Sequence, residues 1–285
     1  MKLCRYDHDR IGVVRDGRIF DASAALDELP PLHWPVPYGD QLIANLDDLR
    51  PNIEAAADKS TPRALADVTL KSPVANPSKI IAAPVNYRKH LDEAKADAEI
   101  HHGTKIKTID DAGLFLKSTS SLVGAGEGIA MRFPERRNDH EVELAVVIGK
   151  QGDRIPRARA LDYIAGYAIG LDITVRGPEE RSLRKSVDSY SVLGPWMVTA
   201  DEIASPGNLD FRITVNGEVR QQSNTSYLIF DIPKLIEYAS SFYTLNPGDI
   251  IMTGTPEGVG PIAAGDEVVA WIDGIGDMTV AVRNA

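Results

Sequence analysis

The chain has 285 residues, 43% of them hydrophobic and 25% charged, enough to bury a core in one large domain or in a large and a small one. Its 41 Asp plus Glu against 31 Lys plus Arg leave a net charge of -10, which repels phosphate backbones and anionic lipid and argues against nucleic-acid and membrane partners. A single cysteine, Cys4, excludes an intrachain disulfide framework and a thiolate cluster. The polar start MKLCRYDHDR lacks the apolar run of a signal peptide, and no apolar stretch reaches bilayer length, so the expectation is a soluble cytoplasmic protein.

In chain order, residues 1 to about 20 alternate apolar and polar around Asp16-Gly17, which predicts a β-hairpin. A Pro-rich stretch, Leu29 to Pro37, and helix-like text from Gly39 to Ala57 follow. Residues 1–72 are therefore expected to form a small N-terminal α+β subdomain, and Lys71 to Pro77 a linker to a catalytic domain over residues 73–285. Beyond Lys79 the text is mainly β-branched runs: KIIAAPV, VELAVVIGK, YIAGYAIGLDITV, FRITVNGEV, DIIMTG, DEVVAWIDGIG and MTVAVRN. Helices are predicted after Val85, around Asp231 to Ser241 and around Arg157 to Tyr163. Strands outnumber helices without a βαβ rhythm, which predicts a mixed, β-rich α+β fold rather than a doubly wound sheet. No internal repeat is visible.

Chemistry concentrates at Asp139-His-Glu-Val-Glu-Leu-Ala-Val-Val-Ile-Gly. In a strand, alternate side chains share a face, so Glu141 and Glu143 point the same way at the mouth of a run that becomes wholly apolar. Spacing alone leaves two readings open: a solvated strand end, or a pair of acids held together by a cation. Asp172, at the end of YAIGLD, is by itself an ordinary turn or cap residue. With the two glutamates it makes an all-oxygen set suited to Mg²⁺ or Mn²⁺, whereas zinc calls for His or Cys. In Asn86-Tyr-Arg-Lys-His-Leu-Asp-Glu, a helix sets His90 and Glu93 at i, i+3, as an incidental surface pair or as an imidazole oriented to activate water. Lys185 precedes the turn-like Leu193-Gly-Pro-Trp196, and Thr255 lies in the Gly-rich turn Thr253 to Gly260, which no helix follows and which is no nucleotide phosphate loop. The polar stretch Glu93 to Asp111, with His101-His102, reads as a mobile loop placed to act as a lid.

Seven motifs in fixed order now carry a resemblance: NYRKH (86–90), FLKSTSSLVG (115–124), HEVELAVVIGK (140–150), GYAIGLDIT (166–174), RKSVDSYSVLGPW (184–196), VNGEVRQQSNTSYLIFD (215–231) and GDIIMTGTPEGVG (248–260). Over residues 70 to 285 the chain resembles the fumarylacetoacetate hydrolase superfamily, in particular its shorter bacterial members of aromatic and sugar-acid catabolism. The resemblance implies a β-sandwich roll, usually dimeric, behind a smaller N-terminal region. It places Glu141, Glu143 and Asp172 on metal-ligand positions, His90 and Glu93 on a lid-borne water-activating pair, Lys185 on an active-site lysine and Thr255 on a substrate-facing turn. Arg88 and Lys117 are expected to help hold the negative charge of a small 2-oxo acid. The implied reaction is metal-dependent hydrolysis of a carbon–carbon bond in an acylpyruvate (2,4-dioxo acid) with release of a pyruvate enolate. Isomerisation or tautomerisation, decarboxylation of oxaloacetate, and hydration or dehydration of sugar acids are the alternatives within the superfamily. A non-catalytic binding protein with a structural cation is the alternative outside it. The sequence departs from its relatives at Leu171, where Asn is frequent, at Ala83-Pro84-Val85, where a Gly is frequent, at Ser118, where Pro is frequent, and at His140, where an aromatic residue is common.

Overall fold

A computed structural model describes residues 1–101, 103 and 105–285; the side chain of His101, and His102, lie outside the described residues. The fold grows from its most apolar strands. Val142–Ile148 and Ile164–Asp172 pair antiparallel, and Ser191–Thr199 flanks them. These strands are buried almost throughout, because the sheet they form is covered on both sides and every position needs an apolar side chain. Val142, Leu144, Val146 and Ile148 enter one core, and Ala145 and Val147 the other.

Among the described residues this central sheet has twelve strands and passes from Phe115–Lys117 at one end to Arg63–Ala64 at the other. Its first face packs on a five-stranded sheet through Phe211, Ile213, Val268, Ala270 and Val280, which makes the sandwich. Its second face is covered by the helix Leu46–Lys59, whose Leu46, Leu49, Ile53 and Ala57 recur at helical spacing on the core side. Ile53 is fully buried there, and truncating it to alanine would cost about 2–5 kcal/mol. The mixed, β-rich α+β architecture expected from the sequence is the one observed.

The N-terminal hairpin Arg10–Arg15/Arg18–Asp21 forms as expected, and the preceding strand Lys2–Tyr6 joins it to the central sheet by pairing with Ser191–Thr199. The sheet therefore runs across the chain position expected to separate a small subdomain from the catalytic domain. Asp40 ties the same two parts together: it caps the helix Gln41–Ala44 and accepts from the backbone of Ala75 (2.8 Å) and Asn76 (3.0 Å) in the expected linker. The segment Arg157–Tyr163 is a 3₁₀ helix rather than an α-helix. The stretch expected as a loop after Glu93 carries short helices at Ala98–His101 and Ile109–Ala112, and Arg137 bonds both Asp97 and Glu99. Among the described residues no helix is long and apolar enough to cross a membrane.

Candidate active site

Strand register builds the acidic centre. Val142 pairs with Leu171 and Glu143 with Gly170, and the Asp172 N–H donates to the Glu141 carbonyl at 2.9 Å. Alternation turns Glu141 and Glu143 to the face of Ala145 and Val147, and Asp172 to the face of Ala168, which is the same side of the sheet. Glycine at 170 places no side chain opposite Glu143. One carboxylate oxygen from each of Glu141, Glu143 and Asp172 lies within 4.8 Å of the other two, and all three residues are buried. Glu141 occupies the break between Asn138–His140, in a small three-stranded sheet, and Val142–Ile148, in the large one.

Buried acids this close need positive charge. Lys185, in the short helix Arg181–Lys185, sets Nζ 2.7 Å from both Glu141 and Asp172 and 2.6 Å from Thr174 Oγ1. Lys117 bonds Asp172 and donates to the Tyr190 carbonyl at 2.8 Å. Arg176 bridges Asp139 (2.7 Å) and Glu141 (3.0 Å). Burial opposes ionisation of Glu141, yet Lys185 and Arg176 outweigh it and hold this carboxyl well below its usual range. Glu143 receives one hydrogen bond, from the Gly254 N–H at 2.6 Å; burial, with the charges of Asp172 and Glu141 alongside, pushes it well above its usual range. A centre in which one of three acids is driven to keep a proton is one where a divalent cation can replace that proton, and its all-oxygen donors fit Mg²⁺ or Mn²⁺.

His90, backed by Glu93, faces the same cavity. Asn86 anchors its helix: Nδ2 donates to the Phe230 (2.9 Å) and Thr253 (2.8 Å) carbonyls, and Oδ1 accepts from Phe230 N–H at 2.7 Å. In the helix Arg88–Ala96 that follows, His90 Nδ1 lies 2.9 Å from Glu93 Oε2, and Glu93 Oε1 accepts from the Gly258 N–H at 2.8 Å. In the neutral ring, a carboxylate on Nδ1 places the proton there and leaves the lone pair on Nε2. Gly258 has φ 92°, and a Cβ there would stand 2.1 Å from the Arg220 carbonyl oxygen, so only glycine fits.

The cavity, about 110 Å³, is lined by the acidic trio, His90, Lys185 and Thr255, with Val85, Phe115, Arg176, Arg181 and Arg184. It thus gathers seven of the nine residues singled out in the sequence close to one centre, counting Glu93 through His90. The other two lie elsewhere. Arg88 is exposed and lines a neighbouring cleft with Lys89 and Glu257, because residues two apart on a helix point in opposed directions and His90 faces inward. Lys117 is fully buried behind Asp172, its ammonium engaged by the protein rather than open to a ligand. The Thr255 hydroxyl is also engaged: it donates to the Val142 carbonyl at 2.9 Å and accepts from Gln221 Nε2 at 2.8 Å.

Sequence reasoning missed Arg176, Arg181, Arg184 and the backbone donors Gly254 and Gly258. Arg176 carried a signal: Asp172, Thr174 and Arg176 alternate at the strand period and so share a face. Val85 lines the cavity too, at the end of the segment Ala83-Pro84-Val85. Its φ of 49° lies in the left-handed region, strained for a β-branched residue, at the edge of the cavity.

Residues 79–283 match the family model described as Fumarylacetoacetate (FAA) hydrolase C-terminal. The chain is 57% identical, over the full length of both proteins, to the maleylpyruvate hydrolase of Aquipseudomonas alcaligenes. It is 38% identical to the mitochondrial oxaloacetate tautomerase of Mus musculus, over 72% of this chain and 92% of that one. The crystal structure of maleylpyruvate hydrolase from Sphingobium sp. SYK-6, in complex with manganese(II) and pyruvate, superposes with a TM-score of 0.84 at 41% identity, covering both chains in full.

Proposed function

The chain belongs to the fumarylacetoacetate hydrolase family, and from that premise we propose that it is a metal-dependent hydrolase cleaving the carbon–carbon bond of an acylpyruvate, a 2,4-dioxo acid, in aromatic catabolism. The observation that supports hydrolysis is His90, which lines the same cavity as the acidic trio and is oriented by Glu93, itself held by the Gly258 N–H. Glu141, Glu143 and Asp172 would hold one Mg²⁺ or Mn²⁺. When bound, that ion supplies Lewis-acid polarisation of the 2-oxo acid and offsets the charge of the departing pyruvate enolate.

The side chains do the rest. His90 Nε2 takes a proton from a water, and Glu93 stabilises the imidazolium through Nδ1–H. The hydroxide so formed adds to the distal carbonyl, the bond between that carbonyl carbon and the methylene carbon breaks, and the electron pair leaves on the pyruvate fragment. A proton returned to that carbon gives pyruvate, and the acyl fragment leaves as a carboxylic acid. Lys185, its ammonium bonded to Glu141, Asp172 and Thr174, balances the negative charge of the centre. Arg88, exposed on a neighbouring cleft, and Lys117, bonded to Asp172 and the Tyr190 carbonyl, are not assigned the negative charge of the substrate.

Residues 1–72 are proposed as a small subdomain built onto the sheet edge, and the enzyme as a cytoplasmic homodimer. The exposed apolar side chains of Leu32, Trp34, Val36 and Tyr38 support a self-association surface, and molar mass by light scattering tests it.

The deciding experiment is His90→Ala in manganese-loaded protein. Acylpyruvate hydrolysis should fall by roughly 10²–10⁴-fold, the usual contribution of a general base, while any metal-dependent tautomerisation or decarboxylation of oxaloacetate changes little. Equal survival of both activities would remove the water-activating role and favour a tautomerase.

A further inference from the structure

One buried acid beside the site has no part in the chemistry. Asp139 is fully buried, and arginines take both its oxygens: Oδ1 accepts from Arg137 Nε at 2.8 Å and Oδ2 from Arg176 Nε at 2.7 Å. Strand alternation builds this arrangement. Arg137, Asp139 and Glu141 recur at a spacing of two, and Asp139 stands opposite Thr174, so Arg176, two residues beyond Thr174, turns to the same side. The Arg176 N–H donates to the Arg137 carbonyl at 2.8 Å, which fixes the two arginines next to one another.

Each arginine then serves acids on two sides. Arg176 reaches from Asp139 to Glu141, at 3.0 Å. Arg137 reaches from Asp139 outward, where its Nη1 lies 3.0 Å from Asp97 and 2.8 Å from Glu99. Asp97 caps the C-terminal end of the helix Arg88–Ala96, which carries His90, and its N–H donates to the Glu93 carbonyl at 3.0 Å. A continuous line of charge-assisted bonds, Glu141 to Arg176 to Asp139 to Arg137 to Asp97, thus joins the acidic trio to the helix that bears the base. Desolvating so many charges opposes folding, so stability is not what the line contributes. Its contribution is a fixed geometry between two elements that are distant in the chain.

We propose that Arg137 and Asp139 are positioning residues that couple the base to the metal centre. Occupation of the acidic trio fixes Glu141, and the line through Arg176, Asp139 and Arg137 then steadies the helix that presents His90. The coupling is reciprocal, so order in that helix favours the ion by the same factor. This rests on the proposed metal ligands and base, and adds the route by which one answers to the other.

Hydrogen exchange read by mass spectrometry tests it, with and without saturating Mn²⁺. The proteins are wild type, Arg137→Gln, Arg137→Lys, Asp139→Asn and the double variant Asp97→Asn with Glu99→Gln. In wild type the ion should slow exchange in the helix Arg88–Ala96 by roughly 5-fold or more, the lower end of ordinary coupling between sites. In Arg137→Gln, Asp139→Asn and the double variant that slowing should be lost, while it persists in the strand Val142–Ile148 and so reports that the ion is bound. Arg137→Lys keeps the charge without the fork and should restore part of the response. The double variant cuts the line at its solvent-facing end and leaves the buried pairs whole, so it reads the coupling even where a buried substitution prevents folding. The same double variant should lower kcat for acylpyruvate hydrolysis several-fold with KM nearly unchanged, because the base is displaced and no substrate contact is lost. Slowing in the helix that survives in the variants, or none in wild type while the strand responds, overturns the coupling. Hydrolysis without the coupling leaves the proposed function intact and removes only the relay; the coupling without hydrolysis does the reverse.

Discussion

The strand Val142–Ile148 has a buried acid at each end, and the two ends treat it in opposite ways. At the far end, Asp249 is fully buried and saturated: Oδ1 accepts from Ser78 Oγ (2.6 Å) and Lys79 N–H (3.0 Å), and Oδ2 from Lys79 Nζ (2.6 Å) and Asn246 N–H (2.7 Å). At the near end three carboxylates crowd together, and Glu143 receives a single donor. One acid with four donors fastens loops to a sheet. Three acids crowded together, one of them with a single donor among the described residues, form a receptor for a cation. Donor supply, rather than burial or residue type, separates a structural carboxylate from a functional one.

Exchanging the two ends by mutation gives the largest contrast. Glu143→Ala should lower metal-dependent turnover by roughly 10³-fold, equivalent to several kcal/mol of lost charge stabilisation, with little loss of metal-free stability because it relieves repulsion with Asp172 and Glu141. Asp249→Asn should keep turnover within a few-fold and cost about 3 kcal/mol of stability by stranding Lys79 and its neighbours. Turnover and urea melts of both variants check the pair, and matching effects would collapse the distinction. A smaller effect follows from adding Mn²⁺ at 100 times its dissociation constant, which should stabilise wild type by about 2.7 kcal/mol and the Glu143→Ala variant by much less. Thermal melts with and without the ion measure it.

Val85→Gly should change stability by no more than about 1 kcal/mol, since relief of left-handed strain opposes the greater freedom of glycine in the unfolded chain. It should also admit substrates branched near the reacting carbonyl, read as a shift in relative kcat/KM. The smallest expected effect is at Cys4, where burial pushes the thiol up to about 12. Below that value the thiol keeps its proton, so the native protein at pH 8 should resist alkylation, and mass spectrometry after iodoacetamide treatment checks it.

The acidic trio was legible because strand alternation is a local rule: Glu141 and Glu143 share a face by spacing, and only the register that brings Asp172 beside them needs the fold. The fold class was legible in the same way, since fully apolar strands declare a sheet covered on both sides. Long-range partners were not. Nothing near Glu93 announces a backbone donor 165 residues away, and nothing near Lys117 announces that Asp172 and Tyr190 engage its ammonium. Arg88, two residues before His90, faces a neighbouring cleft, as helical geometry requires.

The link from the Gly258 N–H to Glu93 has a bearing on how the enzyme will look to genetics. The group that steadies the base belongs to the main chain, at a position where any side chain collides with the Arg220 carbonyl. A saturation screen would score every replacement of Gly258 as a folding defect, and its share in turnover would pass unnoticed. Replacing the amide between Glu257 and Gly258 by an ester, through protein semisynthesis, removes the one hydrogen and keeps the shape. Such a protein would melt much as the parent does while its base swings loose, revealing a contribution to catalysis that no codon change can isolate.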